Sequence, residues 1–296
     1  MGRTDRKTTK EHVPPCKTAL VTGGAGFIGA NLITELIKQN YTVYSLDNYT
    51  TGSEDNHIDG AHYAEWDITQ FLHCPEPVDV IFHLAALPRI GPSFENPAEV
   101  LDVNVMGTTM VMDFAREHDI PVIYAGSSSY HSGVFKNPYT FSKWQGEKIC
   151  EMYRVLFKTK VNVCRFYNVY GDYMINEGAY RTVLSIFKEQ AEKGEVFTVT
   201  GDGTQRRDFT HVKDIVDAMI LCVDKDIYGH TFELGRGRNY SINEIAMMFC
   251  ERLRDIVYIE RPKGEAEVTL CENTDAFDKL GWKPERSVED WINENK

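Results

Sequence analysis

The chain has 296 residues, of which 42% are hydrophobic and 26% are charged. This composition suits one large α/β domain, or a large domain with a smaller one folded onto it. The formal net charge of −12 argues against nucleic acid as the main partner, because binding to DNA or RNA needs a basic surface. No apolar run approaches the roughly 18 residues of a membrane span, and the first residues lack an apolar core. We therefore expect neither a transmembrane helix nor a signal peptide.

The cysteines indicate the cellular compartment. There are seven, an odd number, they are widely spaced, and no C-x-x-C occurs. This pattern is typical of reduced thiols in a cytoplasmic protein, and it favours neither a disulfide framework nor a zinc site. We expect no metal centre.

Residues 1–16 are polar and carry charges of both signs, which predicts a mobile N-terminal arm. Strands and helices then alternate along the chain. The strands are predicted at 18–22, 42–46, 78–82, 121–125 and 161–165, and the helices at 29–39, 97–118 and 138–157. This alternation predicts a doubly wound parallel sheet, the Rossmann fold, over residues 17–171.

A less regular order follows over residues 172–296. Helices are predicted at 179–193, 213–225 and 241–253, and short strands at 196–199, 231–234 and 256–259. No long linker separates this part from the first. We expect a smaller C-terminal α/β lobe for substrate, packed closely on the first domain, with some of its segments contributing to the Rossmann domain.

A glycine motif stands where the first strand meets the first helix. Gly23, Gly26 and Gly29 form G-x-x-G-x-x-G, and Phe27 and Ile28 lie inside it. Glycines at these positions allow a tight turn, a close backbone approach to a pyrophosphate and close packing of helix on strand. A plain structural turn is the alternative, but the flanking strand and helix favour a dinucleotide site at the helix N-terminus.

Asp47 ends the second predicted strand, 21 residues after Gly26. A carboxylate there binds the hydroxyls of the adenosine ribose and repels the extra phosphate of NADP, which predicts NAD. A solvated turn aspartate is the alternative. Asn48 follows it and is assigned to the same site. Further cofactor contacts are predicted, more weakly, from their order along the chain. They are Asp67, Ile68, Leu84, Ala85, Ala86 and Asn104.

Tyr139 and Lys143 form Y-x-x-x-K at the start of a predicted helix, so they lie on one helical face. A nearby ammonium lowers the pKa of a phenol, which can then accept and return a proton. Ser127 follows the fifth strand, where ligands of doubly wound sheets bind, and its hydroxyl can hydrogen-bond a reacting oxygen. A surface face and a serine-rich turn are the alternatives. Ser128 is the second choice among the serines.

These motifs together resemble the extended short-chain dehydrogenase/reductase family, especially its nucleotide-sugar 4-epimerases related to UDP-glucose 4-epimerase. The resemblance is carried by T-G-G-A-G-F-I-G, L-D-N-Y-T-T-G, H-L-A-A, P-Y-T-F-S-K, R-F-Y-N-V-Y-G, G-D-G-T-Q-R-R-D-F-T-H-V-K-D and L-G-W-K-P. It implies an NAD-dependent enzyme that acts on a nucleotide diphosphate sugar, with Ser127, Tyr139 and Lys143 as catalytic residues.

The resemblance also implies substrate contacts. Asn168, Arg207 and Arg261 would hold the diphosphate, and Tyr167 would lie near the nicotinamide. Thr269 falls near a wall of the sugar pocket, where a small residue leaves room for an N-acetyl group. Similar enzymes dimerise through two helices that match 97–118 and 138–157, so a homodimer is expected.

Two departures from the family leave the reaction open. Only eleven residues separate Ser127 from Tyr139, fewer than in relatives. Related 4,6-dehydratases and uronate decarboxylases carry an acidic residue just after the catalytic threonine, whereas this chain has Ser128 and Ser129. We therefore expect a 4-epimerase. Dehydration or decarboxylation through the same 4-keto sugar is the first alternative, and a non-catalytic NAD-binding scaffold is the second.

Overall fold

A computed structural model of the protein describes residues 16–74, 76–250 and 255–296. Of the predicted N-terminal arm, residues 1–15 lie outside the described residues. The strands are β1 (Thr18–Thr22), β2 (Thr42–Asp47), β3 (His62–Glu65), β4 (Val80–His83), β5 (Val122–Ser127), β6 (Val161–Phe166), β7 (Val169–Tyr170), β8 (Phe197–Thr200), β9 (Arg206–Asp208), β10 (Thr210–His211), β11 (Thr231–Leu234), β12 (Asn239–Ser241) and β13 (Ile256–Ile259). The α-helices are α1 (Phe27–Lys38), α2 (Ile90–Glu95), α3 (Pro97–Leu101), α4 (Gly107–His118), α5 (Pro138–Phe157), α6 (Val183–Lys193), α7 (Val212–Asp224), α8 (Ile242–Phe249) and α9 (Val288–Asn295).

Seven strands form one parallel sheet in the order β3-β2-β1-β4-β5-β6-β11. β1 lies near the middle, and its Ala19 faces Val43 of β2 on one side and Val80 of β4 on the other. All four residues of β4 are buried, as expected for a parallel strand covered on both faces. The predicted fold class, a Rossmann doubly wound sheet, is confirmed.

Alternate residues of β1 point to opposite faces of the sheet and enter different cores. Ala19 and Val21 pack in the core that α1 and α7 cover, whereas Leu20 packs in the core beneath α4 and α5. This two-residue period is the reason that a short apolar strand holds helices on both faces. The sheet is therefore the middle of three layers.

The later segments build a second apolar core. Phe187 of α6, Phe197 of β8 and Phe249 of α8 pack against one another, and Trp291 of α9 joins the same cluster. Two-stranded pairs accompany this core: β8 with β13, β9 with β12 and β7 with β10. These elements lie over the carboxyl edge of the main sheet and form one wall of the cleft described below.

Four differences from the predicted elements affect the architecture. The helix predicted at 97–118 is interrupted by a π-helical stretch, Asp102–Met106, between α3 and α4. β3 was not predicted, because His62–Glu65 is short and not buried and so shows no apolar pattern. β11 pairs with β6 at the edge of the main sheet, although its position in the chain suggested the later lobe. The helix predicted at 241–253 ends at Phe249, and residues 251–253 lie outside the described part.

No helix in the described ranges has both the length and the apolar character needed to cross a bilayer. All seven cysteines lie in the described ranges, and none of them forms a disulfide. Cys164 and Cys222 are fully buried with their sulfurs 4.0 Å apart, where they pack as small apolar side chains beneath the sheet.

Candidate active site

A cleft of about 670 Å³ opens at the carboxyl edge of the sheet, where β1 and β4 end side by side. From β1 the chain proceeds to β2 on one side, and from β4 it proceeds to β5 on the other. Ligands of doubly wound folds bind at such a switch point. Val183, Phe209 and Ile242 of the later segments line the opposite wall. The cleft therefore lies between the sheet edge and the second core.

The turn between β1 and α1 leaves no room for side chains at two of its glycines. Gly23 has φ +74°, and a Cβ there would lie 2.7 Å from the backbone nitrogen of Ala85. A Cβ on Gly29 would lie 2.2 Å from the carbonyl oxygen of Gly23. Gly26 precedes α1, and no side chain caps this helix. The backbone therefore comes close to the cleft with its first-turn N–H groups available, which fits a pyrophosphate.

Asp47 is held at the end of β2 by the same turn. Its Oδ2 accepts a hydrogen bond from the backbone N–H of Ala25 at 3.0 Å, and its Oδ1 accepts one from Tyr49 at 2.9 Å. Burial raises the pKa of Asp47, and these backbone hydrogen bonds act in the opposite direction. A carboxylate offers about four acceptor positions, so the fixed group retains positions for ribose hydroxyls.

Most of the predicted cofactor residues line the cleft together. They are Gly23, Gly26, Phe27, Ile28, Gly29, Asp47, Asn48, Ile68, Leu84, Ala85, Ala86, Tyr139 and Lys143. Asp67 is not among the lining residues. Its Oδ1 accepts hydrogen bonds from the backbone N–H of Thr69 at 2.9 Å and from the Thr69 hydroxyl at 2.8 Å. Its carboxylate therefore stabilises a local turn.

Asn104 also lies behind the cleft, in the π-helical stretch. Its side chain accepts a hydrogen bond from the backbone N–H of Leu87 at 2.7 Å and donates to the carbonyl of the same residue at 3.1 Å. It also donates to the hydroxyl of Ser142 at 2.9 Å. Asn104 is 1% exposed, so it ties the loop after β4 to the helix that carries Tyr139 and Lys143.

The structure brings the three predicted catalytic residues to one wall of the cleft. Ser127 is the last residue of β5, and its hydroxyl donates to the hydroxyl of Ser129 at 3.0 Å. Tyr139 lies in the first turn of α5, which the side chain of Asn137 caps by accepting from the N–H of Thr140 at 2.7 Å. Lys143 follows one turn later. The strand end and the cap together fix the direction of both elements.

The charges around this wall affect its ionisable groups. Burial raises the pKa of Tyr139, whereas a hydrogen bond with the Ser127 side chain and the positive charge of Arg89 lower it. Burial lowers the pKa of Lys143 to about 8, and the negative charge of Glu147 opposes this change. Lys143 therefore carries its charge at neutral pH, and its ammonium lies 4.5 Å from the ring centroid of Tyr124.

The predicted substrate residues divide into two groups. Ser128, Asn168, Arg207 and Thr269 line the cleft. Asn168 donates to the hydroxyl of Thr269 at 2.8 Å, and the Arg207 guanidinium lies 3.4 Å from the carboxylate of Glu265. Arg207 is thus held at the cleft wall, where its fork of donors can meet a diphosphate.

Two other predicted residues lie outside the lining. Arg261 binds both carboxylate oxygens of Glu267 at 2.8 Å. Tyr167 is 3% exposed, and its hydroxyl donates to Glu233 at 3.0 Å. Burial, followed by the charge of Glu233, raises the pKa of Tyr167. Both side chains therefore have protein partners in this structure.

Sequence reasoning missed Arg89, which lines the cleft in the loop after β4. It has φ +94°, a conformation that is uncommon for residues other than glycine, and its Nε donates to the carbonyl of Tyr180 at 2.9 Å. Burial lowers the pKa of Arg89, while Tyr139 and Glu265 oppose the shift. The rule that ligands bind beyond strand ends points to this loop, but no motif marks the arginine itself.

The fold and the cleft define a dinucleotide-binding protein of the Rossmann type with a second lobe over the site. The chain belongs to the NAD dependent epimerase/dehydratase family, whose model matches residues 19–235. It is 30% identical over 294 residues to a putative UDP-glucose 4-epimerase of Methanocaldococcus jannaschii, with 92% of this chain and 95% of that protein covered. NAD is therefore the cofactor indicated for this cleft, as the sequence predicted.

Two further comparisons bear on the reaction. The chain is 30% identical over 253 residues to the UDP-N-acetyl-alpha-D-glucosaminuronate decarboxylase of Bacillus cytotoxicus, with 78% of each chain covered. Its structure is similar to that of the UDP-glucose 4-epimerase of Thermotoga maritima with UDP-glucose, with a TM-score of 0.87, 27% identity, and 94% and 97% of the two chains covered. The family membership is thus shown, and its members include more than one reaction.

The position of Asp47 predicts the cofactor preference. We expect the native protein to bind NAD more tightly than NADP. Asp47→Ala should weaken NAD binding by about tenfold, because the contact with the ribose is lost, and should thereby narrow the difference in affinity between NAD and NADP. Asp67→Ala is the matched control, since its carboxylate lies outside the cleft lining. Isothermal titration calorimetry measures the affinity of each variant for NAD and for NADP. Tighter binding of NADP by the native protein would contradict the prediction.

Proposed function

We propose that the protein is an NAD-dependent nucleotide-sugar 4-epimerase. The observation that carries this proposal is the pairing of Tyr139 with Ser127 on the cleft wall, followed by Ser128 and Ser129 where dehydratases and decarboxylases have an acidic residue. A phenol and a serine suffice to remove and return one proton at a hydroxyl. Elimination of a second hydroxyl needs an additional acid.

Each catalytic residue has one task in this proposal. Tyr139 takes the proton of the sugar 4-hydroxyl, and Ser127 holds the same oxygen by a hydrogen bond. NAD, held by the glycine turn and Asp47, would supply the reversible hydride transfer at C4 of the sugar. Lys143, charged at neutral pH, orients the cofactor ribose and favours the phenolate.

We further propose that residues 172–296 bind the nucleotide, while β11 and α7 of this segment serve the cofactor-binding sheet. Arg207 is the diphosphate ligand best supported by its place on the cleft wall, and Asn168 and Thr269 lie beside it. Arg89, between Tyr139 and Glu265, adds a second cation toward the sugar. Two guanidinium groups in a chain of net charge −12 favour an anionic ligand locally.

A second candidate reaction is dehydration or decarboxylation, and one observation favours it. Glu265 lines the cleft beside Arg207, so the later lobe brings a carboxyl group into the cleft that would serve as the additional acid–base group. If it has this role, Glu265→Gln abolishes formation of the dehydrated or decarboxylated product. In an epimerase, the same change alters substrate affinity and leaves the product unchanged.

The product identifies the reaction. Purified protein should convert a nucleotide sugar into its C4 epimer without consuming added NAD, because the hydride is returned. A screen of UDP-, GDP-, dTDP-, CDP- and ADP-sugars, read by mass spectrometry and NMR, tests this. A 4-keto-6-deoxy or decarboxylated product would replace the epimerase proposal with the second candidate. Bound NAD without turnover of any sugar would indicate a scaffold.

Removal of the phenol should abolish the chemistry. Tyr139→Phe keeps the ring but loses the hydroxyl, so we expect turnover to fall about 100- to 10,000-fold. Stability should change by no more than about 1 kcal/mol, one hydrogen bond's contribution. Tyr258→Phe, on the exposed strand β13, is the control. Near-native turnover of Tyr139→Phe would show that another group is the base.

We also propose a homodimer, formed through α4 and α5. Val111 and Phe114 of α4 are buried within the subunit. Met152, Val155 and Leu156 form an exposed apolar stripe at helical spacing on α5, and Leu156 is 65% exposed. A stripe of this kind supports a helix-to-helix interface.

The exposed stripe on α5 predicts that a charged side chain placed in it would disrupt the dimer. Leu156→Glu should shift the protein from dimer to monomer in sedimentation equilibrium at micromolar concentration, because an unpaired carboxylate would be buried at the interface. Phe277→Glu, at a similarly exposed apolar residue far along the chain, should remain dimeric. A monomeric native protein would refute the proposal.

A further inference from the structure

A buried group of charges lies behind the catalytic wall and is not used by the proposed reaction. Arg165 of β6 donates from Nη2 to Glu147 of α5 at 2.6 Å and from Nη1 to Glu233 of β11 at 2.8 Å. The three side chains are only 13%, 8% and 7% exposed. Burial alone would lower the pKa of Arg165, but the hydrogen bonds and charges of the two carboxylates outweigh it and raise the pKa. Arginine suits this place because its planar fork binds two carboxylates at once.

Glu233 connects this group to the short segment after Ser127. His131 Nε2 lies 2.9 Å from one carboxylate oxygen of Glu233, and the Arg165 guanidinium carbon lies 3.9 Å from the ring centroid of Tyr130. Tyr130 and His131 both lie in the short 3₁₀ turn Ser128–Ser132, whose N-cap is Ser127. Two consecutive side chains therefore hold the turn that fixes the direction of the Ser127 hydroxyl.

Glu147 connects the same group to the catalytic helix. It follows Lys143 by four residues on α5, so the two side chains lie on one helical face. The other neighbours of the ammonium are Cys150, His83 and the ring of Tyr124. His83 is neutral, because burial lowers its pKa to about 3. Glu147 is thus the carboxylate whose charge reaches Lys143.

We propose that Arg165, Glu147 and Glu233, together with Tyr130 and His131, form a clamp that positions both catalytic elements. The clamp holds Ser127 through the short turn and Lys143 through Glu147. None of the five residues lines the cleft, so they are positioning residues. The inference rests on the proposed function only in requiring that Ser127, Tyr139 and Lys143 perform the chemistry.

The contact of the clamp with Lys143 through Glu147 of α5 (the helix arm) is tested by Glu147→Gln. Turnover of the holoenzyme is measured as a function of pH. The Lys143 charge is present below its pKa and lost as pH rises through it, so activity should decline above about pH 8 in the native protein. Without the Glu147 charge the Lys143 pKa falls, and this decline should begin about one pH unit lower. KM for the nucleotide sugar should change less than twofold, since no substrate contact is altered.

Asp214→Asn is the matched control for the helix arm. Asp214 is a buried carboxylate that pairs with Arg286 outside the cleft lining. This variant should lower the melting temperature and leave the pH profile unchanged. An unshifted profile in a folded Glu147→Gln protein would overturn this arm of the clamp, as would an equal shift in Asp214→Asn.

The contact of the clamp with the turn after Ser127 (the turn arm) is tested at His131, whose side chain is half exposed. His131→Leu removes the donor to Glu233, and kcat should fall about tenfold while NAD content and melting temperature stay near native. His131→Gln keeps an N–H donor and should restore most of the activity. Equal activity in both variants, whether near native or low, would overturn the turn arm.

Turnover in these variants is measured with whichever sugar the native protein converts, and NAD content by absorbance after release. If the native product is dehydrated or decarboxylated, the epimerase proposal fails while the clamp remains testable, because all three reactions use the same serine, tyrosine and lysine. If the native product is the C4 epimer and the variants behave like native, the clamp alone fails.

Discussion

The close approach of two backbones at the centre of the sheet determines where everything else lies. The turn after β1 passes so near the loop after β4 that a single Cβ on Gly23 would overlap the Ala85 nitrogen. Because of this approach, the glycine turn and the small residues Ala85 and Ala86 after β4 together form the bottom of the cleft, its floor. The approach also sets the depth of the cleft, which Asp47, Ser127 and Tyr139 line. A larger side chain at this point would separate β1 from β4 and remove the floor.

The wall above that floor depends on electrostatics in a dry environment. Lys143 is charged although burial works against it, and the nearby Tyr139 is neutral until a positive charge favours its phenolate. Arg89 lowers the pKa of Tyr139, although burial outweighs this effect. The two cations of this wall come from separate elements, the loop after β4 and the helix α5, which Asn104 ties together.

Sequence alone identified the residues whose roles depend on the backbone or on local spacing. Gly23 and Gly29 are required by turn geometry, and Tyr139 and Lys143 by the helical repeat. The predicted helix at 138–157 coincides with α5. Asp67 and Asn104 were inferred from their order along the chain and Tyr167 from the family resemblance, and in the structure all three side chains have protein partners. The orientations of Asn104 and Tyr167 depend on residues distant in the sequence, and no local pattern encodes them.

The same limit explains why the sequence predicted a strand at 231–234 without its partner in the sheet, and did not mark Arg89. β11 reads as one of several short strands, and only pairing with β6 brings it into the main sheet. Arg89 occupies an unusual backbone conformation that is stabilised by Tyr180, a residue 91 positions away. Contacts over such distances are properties of the folded chain.

The place of β11 has a consequence for the order in which the enzyme is completed during synthesis. The glycine turn, Asp47, Tyr139 and Lys143 all precede residue 144, so the nucleotide floor can assemble early from nearby segments. Glu233 reaches back 102 residues to His131 and 68 to Arg165. Until the edge strand docks, Arg165 lacks one of its two carboxylates and the turn after Ser127 lacks its anchor. Such long-range closure is slow, because loop entropy is lost before the contact forms. A nascent chain therefore carries its glycine turn, Asp47, Tyr139 and Lys143 before it can anchor the turn after Ser127.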